Sequence, residues 1–164
     1  MLNRLKFKIE FASTGKTFQG THEFLTGMTA IVGKNEAGKS LRLEMIRYAL
    51  YGTKALRASA SAYKKLEVKL QFTIAGREYE VHRIGTKCRL MGSMTKGGVE
   101  FEEWPELAVG VKPVNDAIEK IFGYGLEVFD TANAVLQDEI AALSRKTPAE
   151  RKRMVDRTIG LDAV

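Results

Sequence analysis

Gly33, Gly38, Lys39 and Ser40 stand in the octapeptide GKNEAGKS at the spacing G-x-x-x-x-G-K-[ST], directly after the apolar run MTAIV at 28–32. Glycines at these two places let the backbone turn its N–H groups toward an anion, and a lysine next to the second glycine can reach the β- and γ-phosphates of a nucleotide. A hydroxyl at Ser40 is suited to ligate magnesium. The chemistry needs a strand before the loop and a helix after it. MTAIV reads as a short buried strand, and SLRLEMIRYALYG places Leu43, Ile46 and Leu50 at helical spacing until Gly52 ends the pattern. Nucleotide contact is expected along Gly33, Lys34, Asn35, Glu36, Ala37, Gly38, Lys39, Ser40 and Leu41, with ATP and Mg2+ as the cofactors.

The surrounding elements have an uneven rhythm. LKFKIEF alternates Leu5, Phe7, Ile9 and Phe11 against polar partners, as a half-buried strand does, and 18–24 reads as its meander partner. After the loop helix comes a basic connector, TKALRASASAYKK. LEVKLQFTI and REYEVHRI follow as a hairpin around Ala75-Gly76, then KCRLM and GVEFEEW as further short strands. Beyond Pro113 the period turns helical through Val114, Ala117, Ile118, Ile121 and Phe122, with Gly123 as a stop. Thr147, Pro148 and Glu150 have the spacing of a capping box opening a last helix. The fold class is therefore α/β: a P-loop with a mixed sheet, antiparallel and β-rich in its first part, followed by helices.

Composition narrows the function. A chain of 164 residues with 45% apolar content supports one core, and its net charge of +6 permits an acidic partner such as nucleic acid. Cys88 is the sole cysteine and packs better in a strand than it would react; His22 and His82 are isolated, so no metal cluster is formed by spacing. No run approaches a membrane span and the amino terminus alternates too regularly for a signal peptide, so a soluble, cytoplasmic protein is expected. The D-x-x-G and N-K-x-D motifs of a small GTPase are absent. LEVFD, ending at Asp130, is the nearest approach to a magnesium-binding acid at a strand end, but Glu127 interrupts its apolar run. A self-contained small P-loop kinase stays open on these residues, with Asp130 as its first acid.

GKNEAGKS with its early asparagine, the leading FLTGMTAIV, the two strands of LEVKLQFTIAGREYEVHRI and the segment ANAVLQDEIAALSRKTPAERKRMVDRTIGLD together resemble the amino-terminal lobe of SbcC-type DNA repair ATPases, related to the structural-maintenance-of-chromosomes (SMC) proteins. The likeness runs essentially end to end. It implies that residues 1–164 form one amino-terminal ATPase lobe, that a coiled coil begins near 162, and that a carboxy-terminal lobe carrying Walker B, the signature motif and the histidine switch lies outside this chain. It further implies that Gly33, Asn35, Gly38, Lys39 and Ser40 cradle the phosphates and that Gln137 is the Q-loop glutamine reaching magnesium or the attacking water. Lys39 and Gln137 would then be the catalytic pair, and Ser40 and Gln137 the metal contacts.

The partners implied are the chain's own carboxy-terminal lobe, a second copy of the head bound through ATP, an SbcD-like nuclease whose access to DNA is gated, and DNA itself, bound without sequence preference. A recombination mediator or chromosome-organising ATPase of the same superfamily without nuclease is the alternative. Two positions depart from the pattern: Glu36 stands where many relatives carry glycine, and Ala12 where many carry an arginine, with Lys16 as a substitute cation. Arg145, Lys146, Arg151, Lys152, Arg153 and Arg157 against Glu150 and Asp156 form a basic segment that suits either DNA phosphates or solvent.

Overall fold

The computed structural model describes residues 1–27, 29–34, 37–93, 95–96, 99–100, 104–132, 147–150 and 152–153. The chain divides into two compact units, Met1–Phe122 and Gly123–Val164. In the first, β1 (Leu2–Phe11), β2 (Thr17–Glu23), β3 (Tyr63–Ile74), β4 (Arg77–Ile84) and β5 (Lys87–Gly92) are joined by two short strands, β6 (Thr95–Lys96) and β7 (Val99–Glu100), to β8 (Glu106–Val109). Six of them form a sheet in the order β2-β1-β3-β4-β5-β8, antiparallel throughout, and β6 pairs with β7. Two helices, α1 (Lys39–Tyr51) and α2 (Val111–Phe122), complete the unit.

Period-2 alternation makes the sheet two-faced. Leu5, Phe7 and Ile9 of β1, Leu66, Val68, Leu70 and Phe72 of β3, Tyr79 and Val81 of β4, and Cys88 and Leu90 of β5 are buried. The register aligns Leu5, Leu70, Val81 and Leu90 across four strands, so one apolar row crosses the sheet. Met45, Ile46, Ala49 and Leu50 of α1 and Val114 and Ile118 of α2 are buried with them, α1 packing on β1, β3 and β4 and α2 on β5 and β8. Each Val, Leu, Ile, Phe or Met among them contributes about 1.5–3 kcal/mol on leaving water.

The β3–β4 turn holds Ala75 at φ 50° and Gly76 at φ 76°, two successive left-handed residues as a two-residue hairpin of right-handed twist demands. Pro113 sits in the first turn of α2, where its missing N–H is not needed, and the helix begins two residues before it. β8, which carries the sheet's edge, follows Pro105 and has no counterpart among the strands expected from the sequence.

One expectation is corrected. Residues 29–32 are not a strand: they pair with nothing among the described residues, and Val32 is 91% exposed. An apolar run becomes a strand only where a neighbouring backbone takes up its N–H and C=O groups, and β2, the nearest strand in sequence, pairs only with β1 in this sheet. Met28 lies outside the described residues. LEVFD, whose Glu127 argues against a strand, lies in α3 (Leu126–Ala132), in the second unit. In that unit the capping box is formed as spaced: Thr147 N donates to Glu150 Oε2 at 2.8 Å and Glu150 N to Thr147 Oγ1 at 3.4 Å.

Candidate nucleotide-binding site

The loop at 33–38 feeds α1 through Gly38, whose φ of 75° and ψ of 25° place it in the left-handed region. A side chain is strained there, and glycine is not. Gly33 is constrained differently: a Cβ on it would stand 3.3 Å from the Ala37 Cβ, so the loop closes tightly because Gly33 has none. Ala37 N donates to Lys34 O at 3.2 Å, completing the turn.

No side chain caps α1 at Gly38, and no acidic residue occupies its first turn. The first N–H groups of the helix therefore keep their capacity for an anion, and the helix dipole adds positive potential at the same point. Lys39 Nζ donates to Gly33 O and Lys34 O, both at 2.6 Å, so the ammonium is anchored across the mouth of the loop. Arg42 Nη1 donates to Gly38 O at 3.1 Å and stiffens the turn from below. Ser40, one residue on, is exposed. The glycine conformations, the uncapped helix start and the bridging lysine fit a nucleotide's phosphates, and the Ser40 hydroxyl fits a hard cation beside them.

Of the expected contacts, the structure brings Gly33, Lys34, Ala37, Gly38, Lys39, Ser40 and Leu41 together on this loop and helix start. Asn35, Glu36 and Gln137 lie outside the described residues, as do Arg145, Lys146, Arg151 and Arg157; Lys152 and Arg153 are helical and exposed. Among the described residues no group of three or more His, Cys, Asp or Glu side chains could hold a metal ion.

Glu44, the buried acid of α1, is engaged elsewhere: it accepts from Arg57 N at 2.9 Å and from Tyr63 Oη at 3.1 Å, tying the basic connector to the helix. Burial first, and then the Glu44 carboxylate, pushes the Tyr63 hydroxyl up to about 12. Cys88 is buried in β5 as expected, and burial holds its thiol above the usual range, which suppresses the nucleophilic thiolate.

Two features, one beside the loop and one at the other end of α1, were missed in the sequence. Phe18 of β2 reaches Gly38, where a Cβ would lie 3.8 Å from its Cδ1, and it meets Phe11 edge to face at 6.0 Å. Lys16 stands over the Phe18 ring at 5.8 Å, so the substitute cation is positioned by the same aromatic that flanks the loop. Arg83, in the sheet, is 2% exposed and holds the far end of α1. Its period-2 spacing from Tyr79 and Val81 puts Arg83 on the buried face, but the backbone carbonyls it meets there lie on a distant element that spacing does not reveal.

No helix among the described residues is long and apolar enough to cross a membrane. The chain is similar to the DNA double-strand break repair Rad50 ATPase of Thermoplasma volcanium, at 33% identity over 145 residues, covering 85% of this chain and 16% of that protein. It is similar to the Rad50 ATPase of Methanocaldococcus jannaschii at 27% identity, covering 85% of this chain and 14% of that protein. A component of the SbcCD nuclease of Clostridium acetobutylicum is 27% identical, with 82% of this chain and 13% of that protein covered. The chain thus spans about one-sixth or less of the length of these relatives. Its fold matches a solved chain from "Structural biochemistry of ATP-driven dimerization and DNA stimulated activation of SMC ATPases", with a TM-score of 0.59 at 22% identity, covering 94% of this chain and 97% of that one. The resemblance to SbcC-type DNA repair ATPases read from the sequence therefore holds. The AAA domain family matches residues 7–152, nearly the whole chain, and the chain belongs to that family.

Proposed function

We propose that this chain is the phosphate-holding lobe of an ATPase head that works on DNA double-strand ends. The observation that carries this reading is the left-handed Gly38 opening an uncapped α1, with Lys39 bridging the loop. The loop N–H groups and Lys39 orient the β- and γ-phosphates, and the Ser40 hydroxyl holds the cation. Magnesium, when bound there, supplies neutralisation of the phosphate charge.

Hydrolysis needs further groups placed against charge as it develops. Gln137 is assigned to magnesium and the attacking water. The polarising acid is assigned to a carboxy-terminal lobe beyond a coiled coil that starts near 162. With α3 helical, Asp130 is not at a strand end, which favours this reading over a self-contained kinase. Two such heads would enclose two ATP molecules, and their closure would gate an SbcD-like nuclease. The relatives named for double-strand break repair and for the SbcCD nuclease support that assignment.

Calorimetry of magnesium-ATP tests the reading. The chain joined by its second lobe should bind ATP, and Lys39→Ala should lose most of that affinity while keeping its melting temperature. Equal affinity in the two proteins would refute the phosphate site. The 164 residues without the second lobe should show no ATPase above background, and steady turnover by them at a rate independent of concentration would revive the kinase.

A further inference from the structure

The solvent face of the sheet carries a cationic row that packing does not require. Register places Thr21, Lys6, Lys69, His82 and Arg89 side by side across β2, β1, β3, β4 and β5. At about 4.8 Å between strands the row is roughly 19 Å long. Lys6 and Lys69 are direct cross-strand neighbours, an arrangement of like charges that costs stability.

The row beside it shows the ordinary solution: Arg4 closes on Glu23 at 2.6 Å, and Gln71 donates to Glu80 at 2.8 Å. Lys6 and Lys69 have no such partner, nor do Lys8 and Lys65 nearby, among the described residues. Lys65 faces Glu10 in register, but Lys64 takes that carboxylate at 2.7 Å.

These four lysines line an open groove of about 630 Å³ over β2, β1 and β3, with Gln19 and Thr21 along the opposite wall. A hollow of about 190 Å³ between Arg4, Lys6, Lys69 and Glu80 adjoins it through the shared lysines. Glu67 is the acid in the groove, and its Oε1 lies 3.4 Å from His82 Nε2. Farther along the row Arg89 meets Glu106 at 3.1 Å. Four ammonium groups thus face one carboxylate within the groove.

The chemistry of the walls selects the occupant. The exposed large apolar side chains of the described residues, such as Val32 and Val109, lie outside the groove, so it lacks the apolar anchor that a protein interface centres on. Its one aromatic residue, Phe7, is 5% exposed, so it offers no stacking platform for unpaired bases. Lys6 and Lys8, about 6.7 Å apart along β1, and Lys65 and Lys69, about 13 Å apart along β3, with short uncharged donors beside them, suit a phosphodiester backbone that is positioned rather than read.

We propose that the groove over β2, β1 and β3 seats the sugar–phosphate backbone of duplex DNA through Lys6, Lys8, Lys65 and Lys69. This rests on the reading of the chain as part of a DNA-acting head and gives that head a candidate DNA contact in addition to the basic segment at 145–157. Binding there is independent of sequence and steeply dependent on salt.

Fluorescence anisotropy of a labelled blunt duplex, titrated with the chain plus its second lobe at several salt concentrations, tests the groove. Lys6→Gln with Lys69→Gln should weaken binding on the order of tenfold and flatten the log–log salt slope by about 1.8, two contacts at 0.9 each. The double variant should melt no lower than the wild type, since it relieves opposed charges. An unchanged slope with DNA affinity retained would overturn the groove and leave the DNA-acting reading standing. So would a loss confined to Lys152→Glu with Arg153→Glu. No duplex binding by the wild-type head would remove both. Binding of polyglutamate as tight as that of DNA would overturn the assignment in favour of an acidic protein partner.

Discussion

Arg83 Nη2 donates to Asn115 Oδ1 at 2.7 Å, joining β4 to α2 beneath the far end of the nucleotide-loop helix. The same guanidinium donates to Ala49 O at 2.7 Å and Leu50 O at 3.1 Å, so the last carbonyls of α1 are capped by a buried cation rather than by water. Burial lowers the Arg83 pKa, yet guanidinium stays charged at any ordinary pH, and the helix C-terminal dipole favours it there.

Replacing Arg83 with Met removes three hydrogen bonds and strands buried acceptors. A loss of about 3 kcal/mol is expected, read as a lower urea midpoint at constant slope. Asn115→Ala should cost less, and the two changes should be non-additive because they share one contact. Strict additivity in the double-mutant cycle would show that the two residues act independently.

Gly38→Ala places a Cβ on a residue at φ 75°. The strain is about 1 kcal/mol, and it falls on the loop rather than on the sheet. ATP affinity should drop while the β3–β5 amides keep their hydrogen-exchange protection. Uniform loss of protection would place Gly38 in the global fold instead.

Ala75 occupies the left-handed region without glycine's freedom. Ala75→Asn relieves that conformation in a turn that favours asparagine, and should stabilise the protein by about 0.5–1 kcal/mol. A lower melting temperature in the variant would contradict the turn geometry.

His82 sits among Glu67, Lys69 and Glu80, and burial, followed by the Lys69 charge, lowers its pKa despite the two carboxylates. A depressed pKa means that the unfolded chain takes up the proton first. His82 therefore contributes stability above its unfolded value near 6.5, and that contribution is lost as pH falls through the lower folded value. His82→Gln should shrink the drop in urea midpoint between about pH 7.5 and about 5.5. An equal drop in both proteins would assign the acid sensitivity to carboxylates alone.

Much of the fold was legible because its signals are local. Alternation announced β1 and β3, Ala75-Gly76 announced the hairpin, and Gly52 ended α1 where the helical period stopped. The glycine loop and the helix start it feeds were legible for the same reason, since Gly33, Gly38, Lys39 and Ser40 are close in sequence. What escaped depends on distant partners. The run at 29–32 has the composition of a strand but no neighbour to pair with among the described residues, while β8 is a strand of four residues because β5 offers it an edge. LEVFD alternates too little to decide between strand and helix, and helix won. Phe18 at Gly38 and Arg83 under α1 are contacts between elements far apart in the chain, which no spacing rule encodes.

β1 pairs with β3 along nearly its whole length, Leu5 opposite Leu70, so everything between them is enclosed by that pairing. The enclosed stretch includes the loop, Lys39 and α1. A closure that long is slow compared with the two-residue turn joining β3 to β4, because chain entropy is lost before any contact compensates. In refolding, β3, β4 and β5 are expected to zip first, with β1 docking afterwards and shaping the nucleotide loop last. On a ribosome, the glycine loop is translated early and matures late, waiting for a strand made after it; pulse-labelled hydrogen exchange that showed α1 protected ahead of β4 would reverse that order.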